Sequence, residues 1–529
     1  MSLTWNADAT YIKELKDLNS DLLVIGPQIK EFLDVESDSK NFIIGTKGIG
    51  KTLFLRYKRL LYQDYIEANK DLKIILMPKN DLVDRRPIIY DFTKDKIEYF
   101  SNEYVWADIW LLSILLSSLK ATRESDYHVE DENFKDLFAK LNSSSFNRFL
   151  NLLNSIHINP TDFLGEIVSY PIKNINELRN GIGPLISLVR LINLKVVFFI
   201  DNIDELFHKA YNQQELLIPA WYNPQIGLMN AVLNLSNTCR GIEVNASIRK
   251  EAYLKIRQTD PNFFVLRGHV LDLKYTKNEL KIIFVQNIKN TDREKLVHPE
   301  DLNYRPLNSF FGFNFIMNED IKREENIFDY IYRHTLKRPR DLMVIGAAIA
   351  DMSNFDKNTR SIRHRIHTIT SEIGNVYVNE VCPHIDINRD YLDKLFKIIT
   401  TNIYSYNELK TICSKFNSET SCEMKKCNVC KKIHIFCNLY KIGLLGVLYK
   451  PEHSKRTYQE FATPGVMLFE CDSFLPESSL YLLHPVLYEN AHKNNKKFKV
   501  NRSILVGNGQ TITDTDFDHS MSTMSRYDK

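Results

Sequence analysis

Three stretches of this sequence predict an α/β fold: a parallel sheet carrying a phosphate-binding loop, then a helical lid, then a smaller α+β domain. The first is residues 41–56, N-F-I-I-G-T-K-G-I-G-K-T-L-F-L-R, where an apolar strand runs through a glycine-rich turn into a helix. The second is 195–205, K-V-V-F-F-I-D-N-I-D-E, a run of large apolar residues ending in acid. The third is a change of rhythm near residue 385, where long helical patterns give way to short helices followed by strands.

The chain has 529 residues, of which 44% are hydrophobic, enough for two or three domains with packed cores. With 69 basic and 66 acidic residues the formal charge is +3, so no global field recruits a polyanion and any contact with DNA needs a local patch. Residues 1–21 mix charged and apolar side chains, unlike a signal peptide, and no apolar run of spanning length is evident. The expectation is a cytoplasmic protein with no membrane partner. Eight cysteines are too few for a disulfide scaffold.

Residues 1–35 read as an N-terminal helical segment, with Ile12, Leu15, Leu18, Leu22 and Ile25 on one face before a break at Gly26-Pro27. A nucleotide-binding core is expected over 36–274. Within it, residues 45–52 spell G-x-x-x-x-G-K-T. Gly45, Gly48 and Gly50 let the backbone turn tightly enough to aim N–H groups at phosphate oxygens, and Thr46, Lys47 and Ile49 complete the loop. Lys51 would reach the β- and γ-phosphates of ATP, and Thr52 would ligate Mg²⁺. Residues 73–77 are a short strand, 104–119 a helix rich in Trp, Leu and Ile, and 124–185 polar helix and loop, so a helical insertion is expected at about 100–190. The strand 195–200 delivers Asp201 to its C-terminal edge, where it would hold Mg²⁺. Strand 242–248 leads into Arg249, a position able to touch the γ-phosphate, and 270–273 is the last strand. Thr276 is a candidate N-cap opening a helical lid over 275–384, in which Pro339 suits a first helical turn and Arg340 projects from the helix start.

In their order, the phosphate loop, D-N-I-D-E, S-I-R and R-P-R-D-L resemble the AAA+/STAND-type P-loop ATPases of the ASCE division, near the branch of origin-recognition ATPases and the signalling NTPases of bacterial antiphage defence. The resemblance covers roughly residues 36–350. It implies that Arg249 matches the sensor residue after the fourth core strand and Arg340 the sensor 2 arginine of the lid. It also implies an ATP-hydrolysing regulatory switch acting on a separate effector protein, in a homo-oligomer, or both; a DNA-binding initiator or loader is the alternative. One position departs from the family: where a Glu usually follows the metal-binding Asp, this chain has Asn202, which cannot accept a proton from water. Asp204 or Glu205 would then serve as the base, and slow hydrolysis is expected.

Residues 385–490 look like a winged-helix domain: helices at 392–399 and 406–416, strands at 439–449, 458–462 and 466–471, closed by 481–487. Lys410, Lys415, Lys425, Lys426, Lys431 and Lys432 supply local positive charge, and docking to DNA and docking to protein both stay open. The cysteine-rich stretch 413–437 carries Cys422-x4-Cys427-x2-Cys430-x6-Cys437, with His434 between the last two. Those four cysteines, or His434 in place of Cys437, can offer Zn²⁺ a tetrahedron; the alternative is thiols that simply pack. Residues 491–529 are polar and read as a flexible tail.

Overall fold

The computed structural model of the chain describes residues 4–7, 9, 23–37, 40–77, 93–125, 147–192, 194–206, 218–259, 263–318, 323–381, 389–420, 434–449, 458–462, 475–476, 478 and 480–500. They fall into two compact units, one containing Ile25–Leu273 and the other running from Lys274 onward and including the N-terminal residues around Trp5.

The first unit is α/β. Its sheet has five parallel strands, β1 (Phe42–Gly45), β2 (Ile74–Met77), β3 (Lys195–Ile200), β4 (Ile242–Arg249) and β5 (Val270–Asp272), in the order β2-β3-β4-β1-β5. Strands covered on both faces read as near-continuous apolar runs, which is what β1 and β3 are. β4 is different: all eight residues are buried, yet Glu243, Asn245, Ser247 and Arg249 alternate with Ile242, Val244, Ala246 and Ile248. One face of this strand is therefore apolar core and the other a row of buried polar groups. The chain leaves β1 toward the β2 edge, and every later crossover moves the opposite way, so the loop after β1 lies at a topological switch point, where parallel sheets open a crevice beyond their strand ends.

Two helices, α1 (Pro27–Leu33) and α2 (Lys51–Ala68), flank β1. Pro27 opens α1 as its first residue, so Gly26-Pro27 starts a helix here, as proline's fixed φ and missing N–H allow. The expected helix through Ile12, Leu15, Leu18 and Leu22 falls outside the described residues. Between β2 and β3 lie α3 (Lys94–Phe100), α4 (Glu103–Arg123), α5 (Asn147–Asn154), α6 (Pro160–Ser169), α7 (Ile172–Asn180) and α8 (Ile182–Arg190). After β3 come α9 (Ile203–Leu206) and α10 (Ile218–Thr238), and between β4 and β5 α11 (Lys250–Thr259) and α12 (Phe263–Gly268). α4 corrects one expectation: it is long and apolar enough to cross a membrane, but 89% of that stretch is buried within the protein, making it a core helix. It packs against α10, where a Cβ on Gly227 would come within 2.4 Å of Trp106 Cβ, and Trp110 Nε1 donates to the Pro224 carbonyl at 2.8 Å.

The second unit begins with α13 (Lys277–Lys289), capped reciprocally: Glu279 N–H donates to Thr276 Oγ1 and Thr276 N–H to Glu279 Oε2. α14 (Pro306–Phe311), the hairpin β6 (Phe315–Asn318) with β7 (Arg323–Asn326), α15 (Ile327–Arg333), α16 (Pro339–Ala350) and α17 (Thr359–Val381) follow. Trp5 is an anchor for this unit, stacking on Phe310, meeting Phe284 edge-on and filling the space a side chain at Gly346 would need. Then come α18 (Arg389–Ile398), β8 (Ile403–Tyr404), α19 (Tyr406–Thr420), α20 (His434–Lys441), β9 (Leu445–Tyr449), β10 (Tyr458–Phe461), β11 (Leu480–Leu483) and α21 (Tyr488–Asn494), with the sheet ordered β10-β9-β11-β8 and antiparallel throughout.

Two boundaries differ from the sequence reading. Residues 439–441 end a helix, and Gly443, at φ 74°, turns the chain before the strand starts at Leu445. The expected tail is folded at its start, since α21 reaches Asn494 and Phe498 is buried. Residues 466–471 and 501–529 lie outside the described residues.

Candidate functional site

The glycine loop is shaped by its own sequence. β1 ends at Gly45, where a Cβ would lie 2.5 Å from Ile49 Cγ2, so the turn closes only over a glycine. Gly48 and Gly50 have φ of 81° and 106°, the left-handed region that glycine enters without strain. Gly50 is also the N-cap of the 18-residue helix α2 and offers its first turn no side-chain acceptor, so those N–H groups and the helix dipole present an anion site. Lys51 folds back across the loop, its Nζ donating to the carbonyls of Gly45 at 2.9 Å and Thr46 at 3.1 Å. Burial, then repulsion from Arg249, pulls its pKa down to about 8, with Asp204, Glu251 and Asp201 opposing the shift. Thr52 follows, half-buried, in the first turn of α2.

The sheet brings the other groups to the same edge. Register pairs Gly45 with Arg249, and β3 ends one residue before Asp201, whose carboxylate accepts a hydrogen bond from Ser247 Oγ on β4. Asn202 has φ 54°, a left-handed turn that asparagine tolerates better than most residues, and this turn leads into α9. On α9, the Asp204 carboxylate stands 3.6 Å from Arg249 Nη1; Glu205 is on the same short helix. Arg249 is buried and held from several sides. Nε and Nη2 donate to Glu251 at 3.3 and 3.4 Å, its backbone N–H donates to Gln225 Oε1 at 2.9 Å, and its guanidinium lies 5.8 Å from the Trp221 ring centroid. Lys51, Asp201, Asp204 and Arg249, predicted from separate stretches, therefore converge.

This donor set fits a magnesium nucleotide: helix-end N–H groups and Lys51 for phosphate, Thr52 and Asp201 for a hard cation, Asp204 and Arg249 beside them. Three members were not anticipated from sequence: Ser247, Gln225 and Glu251. For Glu251 a signal existed, since an acid two residues after a strand-end arginine can turn back on it; for Gln225, 24 residues upstream, there was none.

The other candidates belong to the second unit or lie outside the described residues. Arg340 is the second residue of α16 in the second unit and is half-buried. The buried arginine of that turn is Arg338, bound to Asp341 at 2.9 Å, near Glu380 at 3.7 Å and facing the Tyr377 ring. Cys422, Cys427 and Cys430 lie outside the described residues. Cys437 is buried in α20 and in no disulfide, and the described residues hold no cluster of three or more His, Cys, Asp or Glu able to bind a metal. Lys425, Lys426, Lys431 and Lys432 are also outside the described residues, while Lys415 is exposed and pairs loosely with Glu419. Compared with known proteins, the chain matches no family model and no curated protein.

Proposed function

We propose that the first unit binds and hydrolyses ATP and that the protein is a nucleotide-dependent regulatory switch of AAA+/STAND type. The observation that carries this reading is the convergence of Lys51, capped over a glycine loop at a helix N-terminus, with Asp201, Asp204 and Arg249 at a switch point of a parallel sheet. Lys51 would exchange its two carbonyl partners for phosphate oxygens. Asp201 and Thr52 would hold Mg²⁺, which supplies charge neutralisation when bound. Asp204 is the proposed acceptor for the proton of the attacking water, and Arg249 the group that meets charge on the terminal phosphate. Since Asn202 occupies the usual position of the base, turnover is slow on this reading.

In the second unit, the order α18-β8-α19-α20-β9 followed by β11 inserted between β9 and β8 supports the winged-helix reading of that domain. It would serve either as a restraint on the ATPase that couples to an effector protein or another copy, or as a DNA reader. The former fits a near-neutral chain better. The antiphage-defence role rests on the family resemblance alone.

Measuring ATP affinity and phosphate release in wild type, Lys51→Ala and Asp201→Ala tests the assignment. Lys51→Ala should lose binding, and Asp201→Ala should keep much of the binding but lose Mg²⁺-dependent turnover. Wild-type affinity in Lys51→Ala would sink the site.

A further inference from the structure

At the opposite end of the same sheet, the starts of β2, β3 and β4 frame a cleft of about 980 Å³. Lys195 opens β3 and Asp201 follows its last residue, so at about 3.3 Å per residue this cleft lies on the order of 20 Å from the nucleotide site. Four cations line it, Lys73, Arg190, Lys195 and Arg240, against two carboxylates, Glu36 and Asp71. Lys73, Arg190 and Arg240 are exposed, and Lys73 and Arg240 form no ion pair among the described residues.

Beneath it lies a buried polar network. The Glu243 carboxylate accepts hydrogen bonds from Tyr62 Oη at 2.6 Å and Asn245 Nδ2 at 2.7 Å, and meets Lys195 Nζ at 2.7 Å and Lys58 Nζ at 3.5 Å. Lys195 and the fully buried Lys58 thus share this carboxylate. The wall beside these cations is apolar, formed by Leu72, Val189, Ile192 and Leu194 with the ring of Tyr65. A concave site that pairs convergent cations with an apolar wall, at the volume typical of small-molecule pockets, selects an amphipathic anion.

We propose that this cleft binds a small organic anion, a phosphate or carboxylate head on an apolar, ring-sized body, separately from the nucleotide. The head is met by Lys73, Arg190, Lys195 and Arg240, and the body lies on the apolar wall. Arg190 is oriented by its Nε, which donates to the Thr238 carbonyl at 2.7 Å, and its guanidinium also hydrogen-bonds the Cys239 side chain.

Titration calorimetry with phenyl phosphate, benzoate and inorganic phosphate on the full chain tests the site, using wild type, Lys51→Ala and a Lys73→Ala/Arg240→Ala double variant whose melting temperature is checked first. Both rim residues are exposed, so the double variant keeps the fold. Saturable binding of phenyl phosphate or benzoate is expected, tighter than that of inorganic phosphate, equal in wild type and Lys51→Ala, and at least tenfold weaker in the double variant; which aryl anion binds tighter identifies the head group. Absence of saturable binding, undiminished binding in the double variant, or binding lost in Lys51→Ala would each overturn the proposal, the last by returning the anion to the nucleotide loop.

Discussion

Raising the pH from 7 to 9 should weaken ATP binding about tenfold, because the charge on Lys51 is the one the loop depends on and its pKa is near 8 rather than 10.5. At pH 7 roughly nine in ten Lys51 side chains carry the proton; at pH 9 only about one in ten does, whereas an ordinary lysine would still be almost fully charged. The cause is geometric: the ammonium is desolvated where it folds back across the loop, with Arg249 nearby, and the carboxylates of Asp204, Glu251 and Asp201 only partly compensate. A bound triphosphate adds negative charge beside the amine and restores its pKa, so binding must take up protons, roughly half of one per site at pH 8 and close to one at pH 9. Phosphate itself is fully ionised above pH 8 and contributes little to that uptake. For folding the sign is the opposite. With the folded pKa below the unfolded value, the unfolded chain holds more protons between about 8 and 10.5, so unliganded stability rises with pH across that window. Calorimetric titrations at pH 7, 8 and 9, each in two buffers of different ionisation enthalpy, measure affinity and proton uptake together. Lys51→Arg, which stays charged, should abolish the pH dependence even where it weakens binding. Equal affinity at pH 7 and 9 with no proton uptake would refute the argument, since a strongly bound triphosphate could not leave a pKa of 8 unchanged.

Asp204→Asn and Glu205→Gln keep shape and remove a proton acceptor; loss of turnover in one alone identifies the base, and survival of turnover in both would exclude the acids after Asp201 from the chemistry. Gly227→Ala should destabilise the first unit by about 1–3 kcal/mol, because its Cβ would sit 2.4 Å from Trp106 Cβ and 2.8 Å from the Ala107 nitrogen, contacts that force α4 and α10 apart. Thermal melting reads this, and an unshifted midpoint would mean the helices are not packed so closely. For the cysteine-rich stretch, metal analysis of protein purified without chelator should find about one zinc per chain, lost when Cys427 and Cys430 are both replaced by Ser. Zinc-free protein with freely titratable thiols would return these residues to simple packing.

The sheet was legible because its strands are short apolar runs bounded by turn residues, and 242–248 could be read as a strand despite its alternating polar positions. What stayed hidden was why those positions are polar: Glu243 feeds a buried ion network with Lys58 on α2 and Lys195 on β3, Ser247 holds Asp201 after β3, and all of these partners are far away in sequence. Local pattern also misplaced the start of β9. Leu439 and Tyr440 are as apolar as strand residues, but they complete the buried face of a helix, and only the turn at Gly443 separates the two elements. In the R-P-R-D-L stretch the buried arginine is Arg338, two residues before the Arg340 that the sequence singles out, and its contacts with Glu380 and Tyr377 on α17 are ones the local pattern does not show.

The hold on Arg249 bears on how a site without the usual glutamate could still discriminate nucleotides. Glu251 occupies Nε and Nη2, so Arg249 is fixed in direction and only Nη1 is presented toward Asp204. At 3.6 Å that last contact is an ion pair too long for a hydrogen bond, the weakest of the set. On the proposed reading, a third phosphate competes with Asp204 for this nitrogen alone, without unseating Glu251, and the arginine need not be rebuilt. ADP offers no charge at that position and leaves the pair intact. The discrimination is bounded by the difference between two charged contacts, on the order of 1–3 kcal/mol, which is enough to bias a two-state element by one to two powers of ten and too little to lock it. On the proposed reading, a protein built this way would turn over slowly and report which nucleotide it holds.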